Sequence, residues 1–145
     1  MDETVLQKIP HRPPFLFVDR IVERTEDGVT AERVWDPSCA FYEGHYPGNP
    51  LTPGVLLCES VFQTAGIFLA DRIPEDSDAV PVLTRIHSAR FKRIVRPGER
   101  VTMNVKLTEV MEGRFFTLRG TVRDSGGKMV LLIDFTVAML GELPQ

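Results

Sequence analysis

His45 and Glu59 are the two residues whose types and spacing could carry out acid–base chemistry. His45 lies in EGHYPGNPLTPG, residues 43–54, a segment stiffened by proline and glycine, and Glu59 follows in the apolar run VLLCESVF. A carboxyl group in apolar surroundings is costly to ionise and tends to keep its proton. A histidine base and a protonated carboxyl acid, delivered by one short segment, would form a general acid–base pair.

Each of these residues also has a purely structural interpretation. Glu59 could be a satisfied buried carboxylate that caps a loop N–H group, and His45 could hydrogen-bond within its own turn. The N–H groups of Gly54 and Val55 favour the chemical interpretation. They lie at the expected start of a helix, where free N–H groups can face an oxyanion.

A buried helix is predicted to position Glu59. Thr52 is the predicted N-cap, Pro53 takes the first helical position, and the apolar pattern continues to about residue 71 or 72, ahead of Pro74. Apolar residues point in nearly every direction around this helix, which is typical of a helix that is covered on all sides.

Three further residues share the helix face of Glu59. Phe62, Gln63 and Gly66 follow it at spacings of three, four and seven, so their side chains lie on the same side of a helix. Gly66 would let another backbone or a ligand approach this face closely.

The remaining pattern predicts strands. Residues 5–10 are predicted as a short helical turn, residues 11–24 as a proline-stiffened segment that continues into a strand, and residues 29–35 as the second strand of a hairpin. Four further strands follow residue 80, separated by glycine-containing turns. One helix and about six mostly antiparallel strands predict an α+β fold. The sheet wraps the helix in one domain over residues 1–145.

Composition excludes several classes of protein. The chain has 145 residues, 43% of them hydrophobic, and a formal net charge of −3, which does not suggest a nucleic-acid-binding protein. Its two cysteines, Cys39 and Cys58, make no disulfide framework. The N-terminus lacks the pattern of a signal peptide, and no apolar run is long enough to cross a membrane. These features predict a cytoplasmic protein without a membrane partner.

Three segments carry a family resemblance. Residues 44–59, GHYPGNPLTPGVLLCE, resemble the signature G-H-F-P-G-x-P-x-x-P-G-V-L-x-x-E of the hotdog-fold (3R)-hydroxyacyl-acyl-carrier-protein dehydratases of fatty-acid synthesis, and the following Q-x-x-G is also present. Residues 10–20, PHRPPFLFVDR, resemble the family's P-H-R-x-P-F-L-x-V-D-R. Residues 90–101, RFKRIVRPGERV, resemble its K-F-R-x-P-V-x-P-G-D segment. The similarity runs in order through nearly the whole chain.

The resemblance implies a fold, an assembly and a reaction. The fold is the hotdog, a long helix wrapped by an antiparallel sheet, in a homodimer where His45 of one subunit meets Glu59 of the other; a trimer of dimers is left open. The reaction removes water from a β-hydroxyacyl thioester on acyl carrier protein, without a cofactor, and leaves the trans-2-enoyl thioester. His45 would take the proton next to the thioester carbonyl, and Glu59 would assist departure of the hydroxyl. The N–H of Gly54 would polarise the carbonyl, and Gln63 would hold Glu59.

The chain departs from the family at two points. Tyr46 stands where the family usually has Phe, and Phe62 replaces a small residue on the catalytic face. Tyr46, Phe62 and Gly66 are therefore the predicted substrate-pocket residues, and Phe62 leaves the acceptable acyl chain length open. The acid is Glu59 rather than the Asp of the dehydratase/isomerase branch, so isomerisation is not expected as the main activity.

A basic segment follows the pocket residues. Residues 85–100 carry six basic residues against one acid, Glu99. Their structural interpretation is a solvated strand edge whose charges discourage aggregation. The resemblance instead suggests a docking surface for an acidic acyl carrier protein, made by four residues: Arg90, Lys92, Arg93 and Arg96.

Other candidate residues receive structural interpretations. His11 and Asp19 belong to the N-terminal motif and are interpreted as structural. The histidines and cysteines lack the close pairing of zinc sites, so no metal is expected. Two rival functions stay open: a hotdog thioesterase in which Glu59 activates water, and a non-catalytic acyl-binding or scaffold protein of the same fold.

Overall fold

The computed structural model describes residues 2–74 and 77–141. Two α-helices, one short 3₁₀ helix and six strands follow one another along this part of the chain. In chain order they are α1 (Glu3–Lys8), β1 (Arg20–Arg24), β2 (Gly28–Val34), the 3₁₀ helix (Ala40–Glu43), α2 (Gly54–Ala70), β3 (Val80–Phe91), β4 (Arg100–Met111), β5 (Phe115–Asp124) and β6 (Met129–Leu140).

The six strands form one antiparallel sheet in the order β1-β2-β4-β5-β6-β3. The turns between β4 and β5 and between β5 and β6 connect strands that pair with each other. β3 does not pair with β4, which follows it in the chain, but with β6. β3 is therefore an edge strand, and most of its residues are exposed. The predicted α+β hotdog architecture, one long helix packed against six antiparallel strands, is confirmed.

The sheet packs against α2 because the strands alternate as the sequence predicted. Val101, Met103 and Val105 of β4 are buried and form part of the core, which also takes in most of α2. Helix and sheet approach each other closely at Gly120 of β5, where a Cβ atom would lie 2.3 Å from Cγ1 of Val61. A larger residue at position 120 would push the helix away from the sheet.

One predicted boundary is wrong. Thr52 is not the N-cap of α2, because the helix begins at Gly54 with Pro53 in the capping position; the Thr52 hydroxyl instead bonds to that of Tyr42 at 2.6 Å. The proline-stiffened segment predicted from residue 11 continues into a strand at Arg20, where β1 begins. Ahead of β1, the N–H of Phe17 donates to the side chain of Gln63 in α2 at 2.8 Å, and the N–H of Asp19 donates to the carbonyl of Glu32 in β2 at 2.9 Å.

Within residues 2–74 and 77–141, no helix is both long enough and apolar enough to cross a bilayer.

Candidate active site

Glu59 lies on the side of α2 that is open to an internal cavity. Its side chain is 22% exposed, and its Oε1 accepts a hydrogen bond from Nε2 of Gln63 at 3.3 Å. Burial raises the pKa of the Glu59 carboxyl; the Gln63 bond and the nearby His11 oppose that rise in part. The carboxyl therefore keeps its proton to higher pH than a solvated glutamate does, as a proton donor requires.

Gln63 connects Glu59 to the N-terminal segment. Its Oε1 accepts from the N–H of Phe17, while its Nε2 donates to the carbonyl of Phe15 at 3.1 Å and also to Glu59. The buried amide is thus fixed by two backbone bonds, and it presents an N–H to the carboxyl in a defined direction. The contact predicted between Gln63 and Glu59 is present in the structure.

The cavity beside Glu59 has a volume of about 210 Å³ and is mostly apolar. Phe62 and Gly66 line it together with residues of the N-terminal segment, β3 and β6. The Phe62 ring packs edge-on against Phe135, with 5.0 Å between the ring centroids, and so forms a bulky part of the wall. At Gly66 a Cβ atom would lie 3.1 Å from the side chain of Ile9, so glycine allows this wall to close tightly.

Within the described residues, the His45 side chain makes one hydrogen bond, to the backbone of the loop before α2. Its Nδ1 bonds to the carbonyl of Leu51 at 2.8 Å, and because a carbonyl oxygen only accepts, Nδ1 carries the proton. In the neutral ring Nε2 is then the unprotonated nitrogen, which is the form of a base. The hydrogen bond within the turn and the catalytic interpretation are therefore compatible.

The His45 loop is anchored to the segment after β3. The N–H of Thr52 donates to the carbonyl of Val95 at 2.8 Å, and Nη1 of Arg96 donates to Oδ1 of Asn49 at 2.9 Å. These bonds bring the loop to the amino terminus of α2, where the first intrahelical donor is Leu56, at 3.0 Å from the carbonyl of Pro53.

The N–H groups of Gly54 and Val55 precede that first donor. In the part of the chain that the structure describes, neither donates to a backbone oxygen, and no side chain caps the helix. The side chain of Val55 is 75% exposed, and the Phe91 ring lies against Gly54, where a Cβ atom would come within 2.9 Å of it. Gly54 therefore leaves room for Phe91 while its N–H stays available to a ligand.

One chain does not bring all predicted site residues together. Glu59, Phe62 and Gly66 line the same cavity, whereas His45 and Tyr46 are not among the lining residues. The Tyr46 side chain is 62% exposed, and its ring packs edge-on against His45 with centroids 4.9 Å apart. The pocket role of Tyr46 stays a prediction.

His11 is a site neighbour that the sequence interpretation missed. Its Nε2 lies 3.7 Å from Oε1 of Glu59, and it lines the same cavity, although the N-terminal motif was interpreted as structural. Asp19 of the same motif does hold the backbone, accepting from the N–H of Val34 at 2.7 Å and pairing with Arg33 at 3.2 Å. The N-terminal motif was the sequence feature that could have identified His11, because residues that follow His11 in this motif bind α2.

The four residues predicted to form the docking surface are exposed, but they differ in the contacts they make. Arg93 pairs with Asp124 at 3.2 Å, and Arg96 holds the His45 loop through Asn49. Arg90 and Lys92 form no ion pair within the described residues.

The wrapped helix, the half-buried carboxyl of Glu59 and the apolar cavity define a hotdog protein with a site suited to acid–base chemistry on an apolar ligand. The chain belongs to the FabA-like domain family, whose model matches residues 9–133. It is 42% identical to the 3-hydroxyacyl-[acyl-carrier-protein] dehydratase FabZ of Chloroflexus aggregans over 77% of each chain. It is 37% identical to the FabZ dehydratase of Herpetosiphon aurantiacus over 91% of this chain and 97% of that one.

The fold is also shared with solved structures. The dehydratase heterocomplex ApeI:P from Xenorhabdus doucetiae aligns with a TM-score of 0.77, covering 95% of this chain and 91% of that chain, at 15% sequence identity. At this identity the likeness shows the fold alone.

Proposed function

We propose that this protein dehydrates (3R)-hydroxyacyl thioesters carried by acyl carrier protein to trans-2-enoyl thioesters. The observation that carries the proposal is the Glu59 carboxyl, whose pKa burial raises, at the wall of an apolar cavity. The family membership and the FabZ dehydratases named among its relatives support the same reaction. The reaction belongs in the cytoplasm, in agreement with the unpaired Cys39 and Cys58.

The reaction assigns one proton transfer to each residue. Nε2 of His45 takes a proton from the carbon next to the thioester carbonyl, and the N–H of Gly54 stabilises the negative charge that develops on the carbonyl oxygen. The bond to the β-hydroxyl breaks as Glu59 donates its proton, so that water leaves and the carbon–carbon double bond forms. His45 ends protonated and Glu59 ionised, and exchange with solvent returns both to the starting state.

The site is completed by a second copy of the chain. Glu59 contacts Gln63 and His11 within its own chain, whereas His45 contacts Leu51 and Tyr46, and the two sets do not meet. β3 offers an open strand edge near the cavity, since Leu83 of that strand lines it, and pairing of two such edges would form a homodimer. A homodimer places His45 of one subunit near Glu59 of its partner.

Product analysis tests the reaction directly. Incubated with (3R)-hydroxyacyl carrier proteins of several chain lengths, the purified protein should give the enoyl thioester, 18 mass units lighter because one water is lost (~18 Da). Mass spectrometry of the intact carrier reads this change. Release of free acid would identify a thioesterase, and an unchanged substrate at every chain length would leave only acyl binding.

The exposed basic residues Arg90 and Lys92 form the proposed docking surface for the carrier protein, with Arg93 and Arg96 at its border. Free exposed cations attract an acidic partner through long-range charge, and that attraction is screened by salt. Arg96 also holds the His45 loop, so its substitution would disturb the site as well as the surface.

Charge reversal at the free positions should weaken docking alone. The double variant Arg90→Glu/Lys92→Glu should raise KM for a carrier-protein substrate at least several-fold at low salt, because each reversal turns attraction into repulsion. The same variant should leave KM for a small thioester mimic unchanged. Steady-state kinetics with both substrates, at two salt concentrations, measures the difference.

Lys106→Glu/Arg114→Glu is the matched control for that test, with the same change of charge at exposed positions outside the basic segment. It should leave both KM values near those of the parent. Equal increases in KM for the carrier and the mimic, or an equal effect of the control, would count against a docking surface at Arg90 and Lys92.

A further inference from the structure

His11 is the one titratable side chain of the N-terminal segment that reaches Glu59. Its Nε2 is 3.7 Å from the carboxyl oxygen, which is longer than a hydrogen bond but within the range of an ion pair. Its Nδ1 is buried and has no hydrogen-bond partner in the described part of the chain. The imidazole therefore faces the carboxyl through Nε2 without another polar group holding it elsewhere.

The position of His11 is fixed by contacts on both sides. Next to it, the guanidinium of Arg12 donates to the carbonyls of Leu6 and Ile9, at 2.9 Å each, and so ties the segment to α1. After it, Gln63 binds Phe15 and Phe17, as described above. The His11 ring also stacks near Phe15 with ring centroids 6.4 Å apart. An imidazole anchored in this way lies at a defined distance from Glu59.

Few other charges face the Glu59 carboxyl. Lys8 of α1 lines the cavity, but its ammonium pairs with Asp71. Cys58 of α2 is adjacent, and burial raises the pKa of its thiol to about 11, so it is uncharged at ordinary pH. The residues that β3 and β6 contribute to the cavity wall are apolar. Of the described residues that line the cavity, His11 is therefore the ionisable side chain left to interact with the Glu59 carboxyl.

We propose that His11 is a positioning residue for Glu59, which holds the carboxyl toward the cavity and sets the pH at which that carboxyl releases its proton. The catalytic consequence rests on the proposed dehydratase function, whereas the effect of His11 on the carboxyl does not. A protonated imidazole at this distance stabilises the carboxylate, so its removal should favour the protonated acid.

A titration of Glu59 itself tests this role. In protein labelled with ¹³C-glutamate, the carboxyl signal of Glu59 is assigned by its absence from Glu59→Gln. His11→Phe keeps an aromatic ring beside Phe15 but removes the charge, and His11→Asn is the second variant should His11→Phe fold poorly. Both should shift the midpoint of the Glu59 titration to higher pH. His87→Phe is the matched control, because His87 is exposed, bonds to Thr136 and should leave the midpoint unchanged.

The pH dependence of turnover gives a second readout. In dehydration Glu59 must carry its proton, so the fall in kcat at high pH should move upward in His11→Phe by the same amount as the titration midpoint. An unchanged or lowered midpoint in a folded variant would overturn the proposal. If the parent protein forms no enoyl product, the proposed function fails, and the titration still decides the role of His11.

Discussion

His45→Ala and Glu59→Gln should each lower the rate of enoyl thioester formation by roughly 100- to 10,000-fold, the range typical of a positioned acid or base. Alanine at position 45 removes the nitrogen that accepts the substrate proton. Glutamine at position 59 keeps the shape and the contact with Gln63 but has no acidic proton to donate. Single-turnover kinetics with a carrier-bound substrate separates this loss of chemistry from a change in binding.

Two matched variants should keep the parental rate, because they make similar changes away from the site. His87 and Glu109 are both exposed on strands, so His87→Ala and Glu109→Gln serve as controls. A rate near that of the parent in His45→Ala or in Glu59→Gln would remove the corresponding residue from the mechanism.

The stability of Glu59→Gln shows whether its loss of activity comes from unfolding. Burial raises the pKa of Glu59 in the folded protein, so folding favours the protonated carboxyl and the ionised form destabilises the native state. This destabilisation is absent below the pKa of a glutamate in the unfolded chain. It grows as the pH rises toward and through the pKa of Glu59 in the folded protein. Glu59→Gln should therefore match or exceed the parental free energy of unfolding at neutral pH, with a smaller difference at pH 4.

Mixing two inactive variants should restore activity if the site is shared between subunits. In a heterodimer of His45→Ala with Glu59→Gln, one site lacks both groups and the other has both. With equal amounts and random exchange, half of the dimers are heterodimers, so roughly a quarter of the parental activity should return. A site built within one chain would lack one group in every subunit, and mixing would restore nothing.

The mixing experiment shows whether the site is shared only if subunit exchange is complete. Native mass spectrometry distinguishes the two homodimers from the heterodimer when one variant is isotopically labelled. The parent protein mixed with its own labelled copy is the control for loss during exchange. Full exchange without recovered activity would contradict a shared site and would leave the dehydratase proposal to the product analysis.

Much of the architecture could be predicted from local patterns of apolar and polar residues in the sequence. The alternation of Val101, Met103 and Val105 placed one face of β4 in the core, and the apolar run after Pro53 formed α2, because burial of apolar surface dominates both choices. Glu59 interrupted that run, and a carboxyl in apolar surroundings is informative in any fold. Its cavity and its raised pKa agree with what the sequence indicated.

The remaining details depended on contacts between distant segments. Thr52 has the side chain of an N-cap, yet its hydroxyl bonds to Tyr42, a choice that only the folded loop can make. His11 is 48 residues from Glu59 in the chain, and only the bonds that anchor Arg12 and Gln63 bring it within reach. The proposed contact between His45 and Glu59 involves a second chain, so the residues of one chain cannot test it.

The placement of β3 also has a consequence for the order in which the protein can fold during synthesis. Phe91 pairs with Leu131 and Val80 with Leu140, so β3 leaves the ribosome about 40 to 60 residues before its partner strand. At ~5–20 residues per second this interval lasts roughly 2 to 12 seconds, during which β3 lacks its partner strand β6. The sheet can close over α2 only once β6 has emerged. Chaperones that bind exposed strands therefore have access to nascent β3, and a chain that stops before β6 should remain unfolded and prone to aggregation.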